Sequence, residues 1–314
     1  HEGLVFASYG RHCVVESDDG VRRICHPRGK KSQALVGDRV LWCPAPEGQG
    51  EEGTVEKVLP RRNLLYRQDE LRTKSFAANI DQVLLLLAAE PVFSESQLAR
   101  ALVAAEAAGI APLIALNKSD LPQPFARAWE RLAPYRAIAH TDGRPGRYPV
   151  LALSLAQGDT PEQRALLAHH LDGKTTLVLG PSGTGKSTLI NLLVPGAQVV
   201  TGEISQALNS GRHTTTSTTW YWLDGARRTA LIDSPGFQEF GLRHIPATEL
   251  ARCMPDIGAH ASACRFYNCS HVHEPGCAVR AQLASADQPT QGISAQRYRL
   301  YCELLEELNA PPRY

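Results

Sequence analysis

The sequence predicts three parts in order: an all-β unit, a larger α/β unit, and a small C-terminal unit of turns and one helix. Three observations carry that reading. Short apolar runs divided by turn signals fill residues 1 to about 70, and strand and helix patterns alternate from Ile80 onward. Beyond about Leu242 the strand patterns stop, and cysteines and histidines cluster instead. At roughly 100–200 residues per domain, a chain of 314 residues has room for two or three cores. The boundaries are placed at 1–72, 73–242 and 243–314.

In the first part, Cys13-Val14-Val15, Val21 to Ile24, Val40-Leu41-Trp42 and Thr54 to Leu59 read as strands. Asp18-Asp19-Gly20, Val36-Gly37-Asp38 and the Gly/Glu-rich loop from Pro44 to Gly53 separate them as turn formers. Five or so short strands predict a small barrel of the oligonucleotide/oligosaccharide-binding (OB) type. An SH3-like barrel is the competing topology, because periodicity does not settle strand order.

In the second part, the apolar run Val83 to Leu87 reads as a buried parallel strand. Ser94 and Gln97 form a capping box for a helix that stops at Gly109. Ile110 to Leu116, Val150 to Leu153 and Thr175 to Leu179 are further strands, and Thr160, Pro161 and Gln163 open another helix. Tyr221 to Leu223 and Thr229 to Ile232 are strands around the turn Asp224-Gly225. Strands alternating with helices predict a doubly wound α/β sheet. A final helix, roughly Ser294 to Leu308, closes the third part.

Apolar residues make up 43% of the chain and charged residues 21%, which excludes a disordered chain. The longest unbroken apolar stretch, Val83 to Ala89, is too short for a membrane-spanning helix. The N-terminus has no basic-plus-apolar signal pattern, so a soluble, cytoplasmic protein with no membrane partner is expected. The chain begins at His1 and its only methionine is Met254, so the native start codon is not represented. The net charge of +1 conceals two basic stretches. One holds Arg22, Arg23, Arg28, Lys30 and Lys31; the other holds Arg61, Arg62, Arg67, Arg72 and Lys74. Such stretches fit either a solvated surface or one face meeting a polyanion.

Gly180-Pro181-Ser182-Gly183-Thr184-Gly185-Lys186-Ser187 matches the full phosphate-loop pattern, after a strand and before a helix from Thr188 to Leu193. Glycines let backbone N–H groups turn toward phosphates, and the helix N-terminus adds its positive end. Gly180, Ser182, Gly183, Thr184, Gly185, Lys186, Ser187 and Thr188 are the expected nucleotide contacts. Lys186 should reach the β- and γ-phosphates, and Ser187 should ligate magnesium.

Asn117-Lys118-Ser119-Asp120 at a strand end is similar to the guanine-specificity motif of GTPases. Guanine offers two N–H donors that one carboxylate, here Asp120, accepts together, whereas adenine would leave it unpaired. Asn117 would contact the base edge or brace the phosphate loop, and the Lys118 stem would pack along the ring. Asp233-Ser234-Pro235-Gly236 resembles the motif whose aspartate holds magnesium through water and whose glycine N–H senses the γ-phosphate. Gly211-Arg212-His213-Thr214-Thr215-Thr216 resembles the switch segment that supplies a magnesium-ligating threonine, Thr215 by register or Thr214. These motifs imply GTP with magnesium.

The C-terminal cluster reads Cys264-x4-Cys269-x-His271-x5-Cys277. Three thiolates and an imidazole suit tetrahedral zinc in a closed structural site. Cys253 and His273 are possible substitutes.

Ordinary GTPases run phosphate loop, switch threonine, Asp-x-x-Gly, then Asn-Lys-x-Asp. Here Asn117 to Asp120 comes first, so the chain is circularly permuted. With an N-terminal barrel, Val36-Gly37-Asp38-Arg39-Val40, Asp233 to Leu242 and the zinc motif, it closely resembles the small-subunit-dependent circularly permuted GTPases of bacteria. The resemblance implies an OB barrel, a P-loop GTPase core and a zinc-binding domain acting in late maturation of the small ribosomal subunit. It also implies flanking domains that grip ribosomal RNA, and binding of GTP and GDP. A monomer is expected. Two departures stand out. The base-contacting Ser-Ala motif reads Ser154-Leu155-Ala156, and the basic N-terminal extension common in the family is expected ahead of His1, where this sequence begins.

The residue after Gly236 is Phe237, where Ras-like GTPases place a water-orienting glutamine. Phenylalanine cannot hydrogen-bond that water, which predicts slow intrinsic hydrolysis with the missing function supplied by another loop or by the ribosome. His213 is the internal candidate, so His213, Lys186 and Thr215 form the expected catalytic set. A nucleotide-gated RNA-binding module with incidental hydrolysis is the alternative.

Overall fold

The computed structural model describes residues 1–28, 33–46, 52–70, 72–140, 142–144, 146–194, 197, 218–234, 240–283 and 292–311. The chain forms two compact units. One comprises His1–Tyr66, Ser75–Leu86 and Ser154–Phe237; the other comprises Arg67–Lys74, Leu87–Leu153 and Gln238–Tyr314.

The first unit opens with the barrel strands β1 (Glu2–Ser8), β2 (Cys13–Ser17), β3 (Arg22–Pro27), β4 (Arg39–Pro44) and β5 (Gly53–Val58). Their order is β1-β2-β3-β5-β4, and β1 also pairs with β4, so the barrel closes. The β3–β5 pair is parallel and the other barrel pairs are antiparallel. That closed order with one parallel pair is the OB arrangement and decides against an SH3-like barrel. Val5, Cys13, Val15, Cys25, Val40, Trp42 and Val55 fill the interior.

The Val-Gly-Asp-Arg-Val stretch closes the barrel for steric reasons. Gly37 has φ +89°, and a Cβ there would lie 2.1 Å from the Ala78 carbonyl oxygen. Asp38 is fully buried; it accepts the Leu35 N–H at 2.8 Å and both Arg61 Nε and Nη2 at 2.7 and 2.8 Å.

The same unit carries β8 (Gln82–Ala88, entering the second unit after Leu86), α4 (Pro161–Leu171), β11 (Thr175–Leu179), α5 (Lys186–Leu193), β12 (Thr219–Trp222) and β13 (Ala230–Asp233). Strands β8, β11 and β13 run parallel with β11 in the middle, and β12 pairs antiparallel with β13. On its other edge β12 meets β1 at Ala7↔Thr219. Thr160 caps α4, its hydroxyl accepting the Gln163 N–H at 3.2 Å.

In the second unit β9 (Ala111–Asn117) and β10 (Val150–Ala152) pair in parallel. Helix α1 (Glu95–Ala107) starts where expected, with Ser94 Oγ accepting the Gln97 N–H at 3.3 Å, and Gly109 follows it at φ +68°. Helices α2 (Pro122–Arg131) and α3 (Ala133–Arg136) were not expected from the sequence; Pro122 opens α2 with the φ a first turn needs. Helices α6 (Pro255–Ala261), α7 (Ala278–Ala281) and α8 (Ala295–Asn309) follow, the last capped by Ser294. Arg297 of α8 is 2% exposed and grips Asp256 of α6 with two bonds of 2.9 and 2.7 Å. Strands β6 (Leu64–Gln68) and β7 (Thr73–Ala78) pair with each other, and their residues Arg67, Gln68, Thr73 and Lys74 belong to this unit.

Candidate functional site

The phosphate loop follows β11 directly, and its glycines answer to local geometry. A Cβ on Gly180 would lie 2.7 Å from the Leu86 carbonyl oxygen and 2.9 Å from Thr184 Oγ1. Gly183 and Gly185 have φ of +83° and +98°, a region L side chains resist. Thr184 is buried, and its hydroxyl donates to the Pro181 carbonyl at 2.9 Å, closing the turn. Helix α5 begins at Lys186, two residues earlier than expected, because Gly185 itself occupies the N-cap position. Its first backbone N–H groups lack intrahelical partners, which makes this end an anion site. Ser182, Gly183, Ser187 and Thr188 are exposed.

Lys186 Nζ lies 2.5 Å from Asp233 Oδ1, with side chains 15% and 11% exposed. Register explains the encounter: Asp233 ends β13 opposite Val178 of β11, just before the loop. A mostly buried carboxylate held by an ammonium is a carboxylate built to face a cation, which suits magnesium when nucleotide is bound. Ser154 lies in this unit too; its N–H donates to Gln163 Oε1 at 2.9 Å, and Gln163 Nε2 donates to the Gly158 carbonyl at 2.9 Å. The Gln163 side chain thus orders the Ser154-Leu155-Ala156 turn, a role its capping position did not foretell.

The base motif lies in the second unit. Asn117 ends β9, is 4% exposed, and its carbonyl accepts the Ala89 N–H at 3.0 Å. Lys118 has φ +71°, a left-handed conformation that is costly for lysine and typical of functional turns. The Ser119 N–H donates to the Leu153 carbonyl at 3.0 Å, and the Leu121 N–H donates to the Lys118 carbonyl at 3.0 Å. Asp120 is exposed at the C-terminal end of its strand, where open α/β sheets bind ligands. His213, Thr214, Thr215, Gly236 and Phe237 lie outside the described residues.

Cys264, Cys269, His271 and Cys277 bring their ligand atoms within 4.8 Å of one another, the group among the described residues that could hold a metal ion. Cys264 Sγ and Cys277 Sγ are 3.9 Å apart, and they stand 3.4 and 3.6 Å from His271 Nδ1. Tetrahedral zinc with bonds of about 2.3 Å to sulfur and 2.05 Å to nitrogen requires about 3.8 and 3.5 Å. The donor set fits. Backbone N–H groups of Ala278 and Arg280 donate to the Cys264 and Cys277 sulfurs at 3.3 and 3.4 Å. Tyr298 and Tyr301 of α8 hold the loop from behind, donating to the His271 and Ser270 carbonyls at 2.8 and 2.9 Å. Cys253 and His273 are not part of the group: Cys253 is buried with its thiol pushed up to about 11 by burial, and the His273 side chain is 82% exposed.

Four of the basic residues singled out in the sequence are matched by acids. Arg22 pairs with Glu16, Arg28 with Glu56, Arg61 with Asp38 and Arg62 with Asp81. Lys30 and Lys31 lie outside the described residues.

A family model described as RsgA GTPase matches residues 58–243, more than half of the chain. The chain belongs to the RsgA GTPase family. It is 64% identical over 309 residues to the small ribosomal subunit biogenesis GTPase RsgA of Variovorax paradoxus, covering 98% of this chain and 93% of that protein. It is 49% identical over 306 residues to the protein of the same name from Paraburkholderia phymatum, covering 97% and 91%. Among solved structures it resembles YjeQ from Thermotoga maritima, with a TM-score of 0.72 and 28% identity over 99% of both chains. It also resembles YloQ, a circularly permuted GTPase, with a TM-score of 0.68 and 26% identity over 100% of this chain and 96% of that one. The permuted motif order read from the sequence agrees with the description of YloQ.

Proposed function

We propose that this chain is a GTP-hydrolysing biogenesis factor that binds the small ribosomal subunit and acts in its maturation. The observation that carries the nucleotide half is the Lys186–Asp233 pair beneath a glycine loop in which a side chain at Gly180 would strike Leu86. Family membership and the names of the relatives support the ribosomal half.

In this reading Gly180, Ser182, Gly183, Thr184, Gly185 and Thr188 line the phosphate cradle, and Lys186 neutralises β- and γ-phosphate charge. Ser187, Asp233 and Thr215 hold magnesium, which when bound offsets charge on the phosphates. Asn117, Lys118 and Asp120 select guanine, Gly236 senses the γ-phosphate, and His213 supplies the water-orienting function that Phe237 cannot. Cys264, Cys269, His271 and Cys277 hold one structural zinc. Functionally the chain divides at 1–72, 73–242 and 243–314, with the barrel and the zinc part contacting ribosomal RNA. It works as a cytoplasmic monomer.

The test is GTP turnover with purified small subunits, using large subunits as the control. Strong stimulation by small subunits alone is expected. Equal turnover with either subunit, while GTP binding persists, would refute the assignment and favour a nucleotide-gated RNA-binding module.

A further inference from the structure

Thr219 is 3% exposed, and its hydroxyl is buried without a hydrogen-bond partner among the described residues. It stands at the start of β12, directly opposite Asp233 in the antiparallel pair with β13. Directly opposed residues in such a pair project from the same face, with Cβ atoms about 4.5–5.5 Å apart. An unpartnered hydroxyl therefore adjoins the one carboxylate that Lys186 holds at 2.5 Å. The register is fixed from both edges, because Thr219 also meets Ala7 of β1.

We propose that Thr219 is the positioning residue for Asp233, with its hydroxyl donating to the carboxylate once Lys186 has turned to nucleotide phosphates and magnesium faces Asp233 in its place. The inference rests on the nucleotide-site reading above. In the nucleotide-free protein Lys186 holds Asp233 while the Thr219 hydroxyl stays unpartnered, so its burial is destabilising. When Lys186 turns to the phosphates, Asp233 loses that donor, and magnesium then draws the carboxylate into a new position. Thr219 then supplies a neutral donor, which fixes the carboxylate without competing with a metal ion for its charge. A lysine could not do this, since its ammonium opposes the cation the carboxylate is meant to face.

The two states give opposite signs for one substitution. Thr219→Val keeps the shape and β-branching but removes the hydroxyl, whereas Thr219→Ser keeps a donor. Two measurements are made on the full chain: thermal unfolding without nucleotide, and magnesium titration of a bound fluorescent GTP analogue. For Thr219→Val the nucleotide-free melting temperature should equal or exceed that of the unmodified protein. Its magnesium concentration for half-effect should rise about tenfold, the loss of one hydrogen bond to a charged group. Binding of the analogue in EDTA should not change, and Thr219→Ser should restore the magnesium dependence. A purely structural threonine would lower the melting temperature in Thr219→Val and leave the magnesium half-point alone; that result overturns the proposal. If the unmodified protein shows no magnesium-dependent nucleotide binding, the nucleotide-site reading itself fails and the inference falls with it. If it does and Thr219→Val matches it, the inference alone falls.

Discussion

Replacing Asp233 by asparagine should make the protein bind magnesium-free GTP more tightly, although it destroys magnesium coupling. In the nucleotide-free state the ammonium of Lys186 is engaged at 2.5 Å by Asp233, and both side chains are largely removed from water. Phosphate binding must dissolve that pair. A hydrogen bond between charged groups contributes roughly 1.5–3 kcal/mol net. Taking about 2 kcal/mol, releasing Lys186 in advance is worth about thirtyfold in affinity at about 1.4 kcal/mol per decade. Removing a negative charge from beside the phosphates acts in the same direction. Asparagine keeps the shape, so the loop and β13 should remain intact. The assay is titration of a fluorescent GTP analogue in EDTA and again in excess magnesium. The unmodified protein should gain strongly from magnesium. Asp233→Asn should start up to about thirtyfold tighter in EDTA and gain nothing when magnesium is added. If Asp233→Asn bound magnesium-free nucleotide no better than the unmodified protein, the Lys186–Asp233 pair would not be opposing nucleotide binding.

Two other perturbations test separate parts of the molecule. Cys277→Ser, or prolonged treatment with a strong chelator, should remove one zinc per chain and lower the melting temperature, because Tyr298 and Tyr301 of α8 dock on that loop; metal analysis beside a thermal melt checks both. Arg100 beside Glu307 holds the Glu307 carboxyl below the usual glutamate value of 4.5, so this contact stabilises the fold above about pH 4.5 and its contribution fades as the pH falls through the lowered value. Glu307→Gln should flatten that acid limb of a melting-temperature profile while leaving the neutral plateau little changed, since the glutamate is 36% exposed and its pair is screened.

Much of the architecture was legible because the signals were local. Thr175–Leu179 is a strand as read, Ser94 and Thr160 cap the helices they were expected to cap, and Ser294 opens the last one. The Cys/His spacing picked out the four residues whose ligand atoms converge, with Cys253 and His273 held as substitutes. What escaped were features whose cause lies far along the chain. The first strand, Glu2–Ser8, is enclosed only because β2, β4 and β12 flank it. The strand pair Leu64–Gln68 and Thr73–Ala78 was hidden by its charge, and read as a basic stretch. Arg61 and Arg62 looked like surface cations because nothing local showed Asp38 and Asp81 as their partners. Thr219 was unremarkable in sequence; its interest comes entirely from a register that sets it against Asp233, fourteen positions later.

That register also says something about how the barrel is attached. In the first unit β12 would be the last strand of the nucleotide-binding sheet, and an uncovered edge of that kind invites pairing with other chains. The barrel removes the hazard by laying β1 alongside it at Ala7↔Thr219. The joint is then fixed by polar chemistry. Trp222 Nε1 donates to Glu16 Oε1 at 2.7 Å, and Arg22 holds the other oxygen of the same carboxylate at 2.8 Å. Glu16 is 4% exposed, so stripping away Trp222 would cost it a donor it cannot recover from water. The hydrogen-bonded sheet therefore runs across residue 72, where a division of function is proposed. A chain cut there would bare the β12 edge on one piece and leave the Glu16 carboxylate short of a partner on the other. The strand left uncovered would be the one that carries Thr219 beside Asp233, so the integrity of the barrel and the geometry of the nucleotide site are held by the same hydrogen-bonded sheet.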